Sequence, residues 1–354
     1  MRNSLLILFL LMFVFSGCKK KTRDDDGIGN DGKRVYYISN EGAFGYGNGS
    51  LSLFYPDDKT IENQAFKKVN GRSPGDVVQS VFKSGDRLFL MVNASNKIEV
   101  AAVSGLKEIA TVGNMALPRY MVAGAGTSLY VSCWGGGGKV MKMDSHTLAV
   151  TDSCEAGSGP EKMSIASGRL FVCNSGGFAD DSTVTVIDTT DFTPVKTVAT
   201  PLNPVDLVVR SDGFVWVVCR GKIIYDANWQ PVGERKGALV QIDADSLLVK
   251  QTVTLPAGVH PSHMEISPDG KTIYLGAGYD SKGIYTFNPE TGDISQTPFI
   301  QGSYYGFNVE PQTGNLYCLE SLSFTSSGRL KVFSPGGKKL FELKTGIGPN
   351  GIIF

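Results

Sequence analysis

Histidine is scarce in this chain: only His146, His260 and His263 occur among 354 residues. An imidazole-rich metal centre is therefore excluded, and a two-histidine site would need carboxylates from elsewhere. The familiar catalytic signatures are missing too. There is no G-x-S-x-G elbow, no H-E-x-x-H and no calcium-binding loop. The run Gly135 to Gly138 lacks the lysine, the serine and the helix of a phosphate loop. No two cysteines are spaced C-x-x-C. The 34 basic residues balance 34 acidic ones with no basic stripe, which argues against a nucleic-acid partner. Helical periodicity is absent, so the chain reads as all-β.

What is present is a repeat. An apolar–aromatic–apolar triplet recurs seven times: Val35-Tyr36-Tyr37, Leu88-Phe89-Leu90, Leu129-Tyr130-Val131, Leu170-Phe171-Val172, Val215-Trp216-Val217, Ile273-Tyr274-Leu275 and Leu316-Tyr317-Cys318. The aromatic positions are spaced by 53, 41, 41, 45, 58 and 43 residues, enough for four strands and their turns. Tight turns such as Ser211-Asp212-Gly213 precede the triplets, and alternating strands such as Thr183 to Asp188 follow them. The 43 glycines suit many short strands and turns. The expected fold is a seven-bladed β-propeller of four-stranded blades spanning 34–354. The first copy lacks an inner strand, and Pro349 to Phe354 has the pattern to supply it, closing the ring and removing its edges.

The N-terminus reads differently. Arg2 and the apolar run Leu5 to Phe15 form a signal-peptide pattern over 1–17, too short to cross a bilayer. Ser16-Gly17-Cys18 resembles a lipoprotein signal, in which Cys18 is diacylated. Residues 18–33 form a charged, glycine-rich tether, expected to be disordered. Its triplet Asp24-Asp25-Asp26 resembles the surface-export signal of Bacteroidetes lipoproteins. The expected location is the outer membrane, anchored through lipid alone and facing the exterior. Cys133, Cys154, Cys173, Cys219 and Cys318 read as buried thiols ahead of a disulfide.

The Gly-x-x-Pro lead-ins, the Asp-Gly hairpins and the apolar-x-apolar-Asp strands together resemble the YncE-like, or surface-layer-like, seven-bladed propellers. That resemblance covers nearly all of 34–354. Members with such an anchor and tether include BtuG-type surface lipoproteins. The resemblance implies capture of cobalamin (vitamin B12), delivery to a TonB-dependent transporter, and no catalytic cofactor.

Propeller topology puts the lead-in loops and the loops between second and third strands on one face. Those loops are long and aromatic, whereas the opposite turns are short and stereotyped. Candidate ligand residues from the lead-ins are Asp76, Arg119, Tyr120, Glu161, Lys162, Asp206, His263, Tyr304, Tyr305 and Asn350. The other loops add Phe44, Tyr46, Trp134, Phe178, Trp229, Tyr279 and Phe324, and the insertion Arg220 to Gly237 is long enough to fold over the mouth. Aromatics with mixed polar groups suit a large, polar, weakly charged molecule, either a corrin edged with amides or a glycan. A monomer is expected. The alternatives are a metal-dependent lactonase or lyase using Asp76, Glu161 and Asp206, and a propeller that docks a protein on the same face.

Overall fold

The computed structural model describes residues 32–278 and 281–354. The expected signal peptide, Cys18 and most of the tether lie outside the described residues, as does Tyr279. Seven four-stranded antiparallel sheets form the blades of a propeller. Their innermost strands are Pro349–Ile353 for blade 1, then Val78–Ser84, Pro118–Ala123, Pro160–Ala166, Pro204–Val209, His263–Ile266 and Gly306–Val309 for blades 2 to 7. Each packs beside the next, and the last beside the first, around a central channel.

The expected closure is present. Pro349–Ile353 pairs antiparallel with Tyr36–Asn40, so the two ends of the propeller share one blade. Phe354 then wedges edge-on between Tyr36 at 4.9 Å and Tyr317 of blade 7 at 5.2 Å. No strand edge is left open at the seam.

Alternation decides what fills the space between blades. Seven apolar clusters line the seven blade interfaces, and the repeated aromatic contributes to them. Phe171 of blade 4 packs among Val215, Val217, Val240 and Ile242 of blade 5. Trp216 of blade 5 meets Phe287 of blade 6 at 4.9 Å. The first copy of the repeat needs one correction. Tyr37, not Tyr36, faces blade 2 with the others of its kind, and Tyr36 faces blade 7. Two adjacent aromatics hide the register, and a one-residue slip exchanges the two faces of a strand.

The stereotyped turns have a common chemistry. Third strands end on a residue whose side chain caps the following turn. Asp144 accepts from the backbone N–H of Thr147 at 2.7 Å, Asp243 from Ser246 at 2.8 Å and Asn288 from Glu290 at 2.9 Å. Arginines then tie neighbouring blades across this face. Arg169 donates to the Ala244 carbonyl at 2.9 Å, and Arg87 to the Ser145 carbonyl at 2.6 Å. His146 sits in one of these turns, as expected.

The five described cysteines are free and buried. Burial pushes the Cys133 and Cys219 thiols up to about 12, so they behave as apolar packing groups. Two insertions interrupt the ring: a short helix, Ala65–Asn70, anchored by buried Phe66, and a hairpin in blade 5 made of Lys222–Tyr225 and Pro231–Arg235.

Candidate functional site at the channel mouth

A β-bulge near the start of the inner strand recurs in five blades. Register shifts fall between Val78 and Ser80, Pro118 and Met121, Pro160 and Met163, Pro204 and Asp206, and opposite Asn350. A bulge leaves a residue unpaired and re-aims its side chain. Here it presents Gln79, Arg119 with Tyr120, Glu161 with Lys162, Val205, and Asn350. All of them line one cavity of about 810 Å³ that opens on the expected face.

Arg119 is the hub. Its guanidinium donates to both oxygens of Glu161, at 2.7 and 3.1 Å, and to Gln79 Oε1. It also lies 3.9 Å over the Trp134 ring, against which Phe178 packs edge-on at 5.3 Å. A bidentate arginine on an aromatic face is held in a fixed plane. Gln79 Nε2 donates to the Tyr120 hydroxyl at 3.3 Å, and the Lys162 ammonium rests 4.7 Å from the Tyr120 ring. Burial pushes the Glu161 carboxyl above its ordinary 4.5, only partly offset by Arg119.

Other blades continue the polar belt. Asp206 receives the Met264 N–H at 3.0 Å and contacts His263 Nδ1, whose Nε2 lies 3.1 Å from Glu265. Burial works to raise the Asp206 carboxyl, but Lys162 and His263 outweigh it and hold it below its ordinary value. Burial and Lys162 disfavour a charged His263, yet Asp206 and Glu265 outweigh them and raise its pKa. Asn308 donates to Glu265 at 2.6 Å and accepts from the Ile352 N–H at 3.0 Å. Across the mouth, Glu41 accepts from Asn350 Nδ2 at 3.0 Å and from the Tyr305 hydroxyl at 3.1 Å. Phe324 packs edge-on to Tyr305 at 5.4 Å.

Arg119, Tyr120, Trp134, Glu161, Lys162, Phe178, His263, Tyr305, Phe324, Asn350 and Phe44 thus gather around one cavity. Five expected residues stand elsewhere. Asp76 lies ahead of the inner strand, where its carboxylate accepts from the Gly45 N–H at 2.8 Å. Pro74 stands four residues before Val78, so the bulge falls on Gln79 instead. Asp206 is buried behind His263 and only supports the wall. Tyr304 takes the place of the lead-in proline and is packed into the interface of blades 6 and 7. Tyr46 is exposed outside the cavity. Trp229 caps the tip of the blade 5 hairpin, 81% exposed and 6.3 Å from Tyr225, and the hairpin does not cover the cavity with it. Missed lining residues are Gln79, Glu41, Asn308 and Arg220. Gln79 was recoverable from the polar pair Gln79-Ser80 between Val78 and Val81, which breaks the two-residue alternation as a bulge does; the loop residues Glu41 and Arg220 carried no pattern.

Asp76, Glu161 and Asp206, the residues considered for a metal, are each bound to different protein donors. Among the described residues no cluster of three or more His, Cys, Asp or Glu side chains is placed to hold a metal ion.

Residues 34–332 match the family described as "Domain of unknown function (DUF5074)". The chain belongs to this family. No curated protein matches it. Solved structures similar to this member are propellers at low identity. A quinonprotein alcohol dehydrogenase-like protein from Bacteroides thetaiotaomicron VPI-5482 superposes with a TM-score of 0.66 at 16% identity, covering 90% of this chain and 77% of the other. Hydrazine synthase from Kuenenia stuttgartiensis gives 0.59 at 17%, covering 75% and 85%. The Pan2 WD40 domain from Neurospora crassa gives 0.56 at 14%, covering 80% and 82%. At such identities the likeness is one of fold.

Proposed function

We propose that this DUF5074 protein captures a small molecule at the channel mouth, with cobalamin as the first candidate. The observation that carries the reading is the convergence of bulge-borne polar side chains and two aromatic pairs on one 810 Å³ cavity. That volume lies within the range of about 300–1,000 Å³ usual for small-molecule sites. Trp134 with Phe178 stands on blades 3 and 4, and Tyr305 with Phe324 on blade 7, on opposite sides of a ring of seven. Aromatic and polar side chains thus line the cavity from both sides, a combination that suits a macrocycle edged with amides. The belt is tied by its own hydrogen bonds, so little ordering cost remains for binding.

The rest of the proposal concerns place and partner. The lipoprotein pattern at Cys18 and the acidic tether support an outer-membrane anchor and delivery to a TonB-dependent transporter. A lactonase or lyase is less well supported, because the mouth carboxylates are already bonded to protein donors.

Calorimetric titration of the purified full-length chain with cyanocobalamin tests capture. The expected result is tight one-to-one binding. Absence of heat over a wide concentration range would remove cobalamin. Labelling of intact cells with a membrane-impermeant reagent tests location, and labelling only after lysis would contradict surface exposure.

A further inference from the structure

The polar belt has one open junction. Hydrogen bonds or ion pairs bridge blades 1 and 2 (Asn350 to the Gln79 carbonyl), 2 and 3 (Arg119 to Gln79), 3 and 4 (Arg119 to Glu161), 5 and 6 (His263 to Asp206), 6 and 7 (Asn308 to Glu265) and 7 and 1 (Ile352 N–H to Asn308). Between blades 4 and 5 the belt has no hydrogen bond or close ion pair among the described residues, only the longer-range attraction of Lys162 for Asp206. Val205, an apolar residue, occupies the bulge position there.

Donors and acceptors are unequally satisfied around this gap. Both oxygens of Glu161 are taken by Arg119, both of Asp206 by backbone N–H groups and His263, and both of Glu41 by Asn350 and Tyr305. The donors are left over. The Lys162 ammonium rests on the Tyr120 ring and feels the charges of Asp206, Glu265 and Glu161, but makes no hydrogen bond or close ion pair among the described residues. The side chain of Arg220 lines the same cavity with none either, and lies near enough to Glu161 to favour its charged form. Two cationic side chains that line one cavity without a direct partner can each donate to an anion, while the oxygens of Glu161, Asp206 and Glu41 are already occupied.

We propose that this junction is an oxyanion subsite, in which Lys162 and Arg220 receive a phosphate or carboxylate group of the captured molecule. The proposal rests on the mouth being a ligand site and names the chemistry of what it takes. An oxyanion presents several acceptors at once, which matches a guanidinium fork and an ammonium.

The test is titration of the full-length chain with inorganic phosphate and, separately, succinate, at constant ionic strength against a chloride control. The subsite predicts saturable one-to-one binding of at least one of them. Affinity should fall by roughly tenfold in Lys162→Gln and again in Arg220→Gln, each losing one charge-assisted contact. Trp229→Ala, at the hairpin tip outside the cavity, should leave it unchanged, and Lys162→Arg should retain most of it, which separates loss of the charge from loss of the fold. The stronger of the two probes identifies phosphate or carboxylate as the source. Heats indistinguishable from chloride, or the parent's affinity retained in both glutamine variants, would overturn the subsite. Cyanocobalamin binding that ignores both substitutions would likewise overturn it while leaving capture intact. Phosphate binding that depends on Lys162 without any cyanocobalamin binding would sustain it while removing cobalamin.

Discussion

The turn aspartates on one face of this propeller and the glutamates Glu41 and Glu161 on the other behave in opposite ways. On the face of short turns, Asp144, Asp188, Asp243 and Asp269 accept hydrogen bonds from backbone N–H groups and neighbouring hydroxyls, which hold their carboxyls below the ordinary 3.8. At the channel mouth, burial drives Glu41 and Glu161 above the ordinary 4.5, and their bonded partners only partly compensate. One face uses charge to fasten blades in water. The other keeps buried charge in the wall of a cavity at a cost to stability, as expected of surface kept for binding.

The largest break in this contrast should come from Arg119→Met. It leaves the Glu161 carboxylate in place without its bidentate partner, a change that typically costs about 3–5 kcal/mol. Chemical denaturation should show the loss, and Arg119→Met with Glu161→Met should recover much of it. The same double substitution in a surface pair such as Lys222 and Asp180 should change little.

Acid and base sharpen the contrast by sign. A carboxyl held below its unfolded value adds stability that is present above about pH 3.8 and lost as the pH falls through its folded pKa. The turn aspartates therefore weaken the fold only in strong acid. A carboxyl raised above its unfolded value works the other way: stability declines as pH rises from about 4.5 to the folded pKa. Glu41→Gln should accordingly be as stable as the parent or more so at pH 7, with the advantage vanishing at pH 4. Thermal melts at the two pH values check this, and a constant difference would contradict it.

Smaller effects come from the turn face and the hairpin. Asp243→Ala removes two backbone acceptor contacts in an exposed turn and should lower the melting midpoint modestly without altering ligand binding. Trp229→Ala should alter neither stability nor binding, since the ring is exposed at a hairpin tip outside the cavity.

Much of the fold was legible because its repeats are local. The aromatic triplets, the Asp-capped turns and the C-terminal strand each follow from alternation and turn chemistry. The site was legible where a proline marks the strand start, since the bulge then exposes the next one or two residues, as at Arg119-Tyr120 and Glu161-Lys162. It failed where that marker shifts. Pro74 stands too early, and Tyr304 stands where proline is expected and points into the core. Glu41 and Arg220 were invisible for another reason: they come from loops whose lengths differ between blades, and only the closed ring brings them to the mouth. His263 and Asp206 were placed near each other by topology, but which of them faces the cavity depends on packing depth.

Hydrogen exchange of the full-length chain, with and without saturating cyanocobalamin, tests the central claim most directly. Capture at the mouth predicts slowed exchange around the bulges at Arg119-Tyr120, Glu161-Lys162 and Asn350 and in the loops carrying Trp134 and Phe324. The turns capped by Asp144, Asp188 and Asp243 should exchange as before. Protection confined to those turns or to the blade 5 hairpin would contradict the assignment of the binding face.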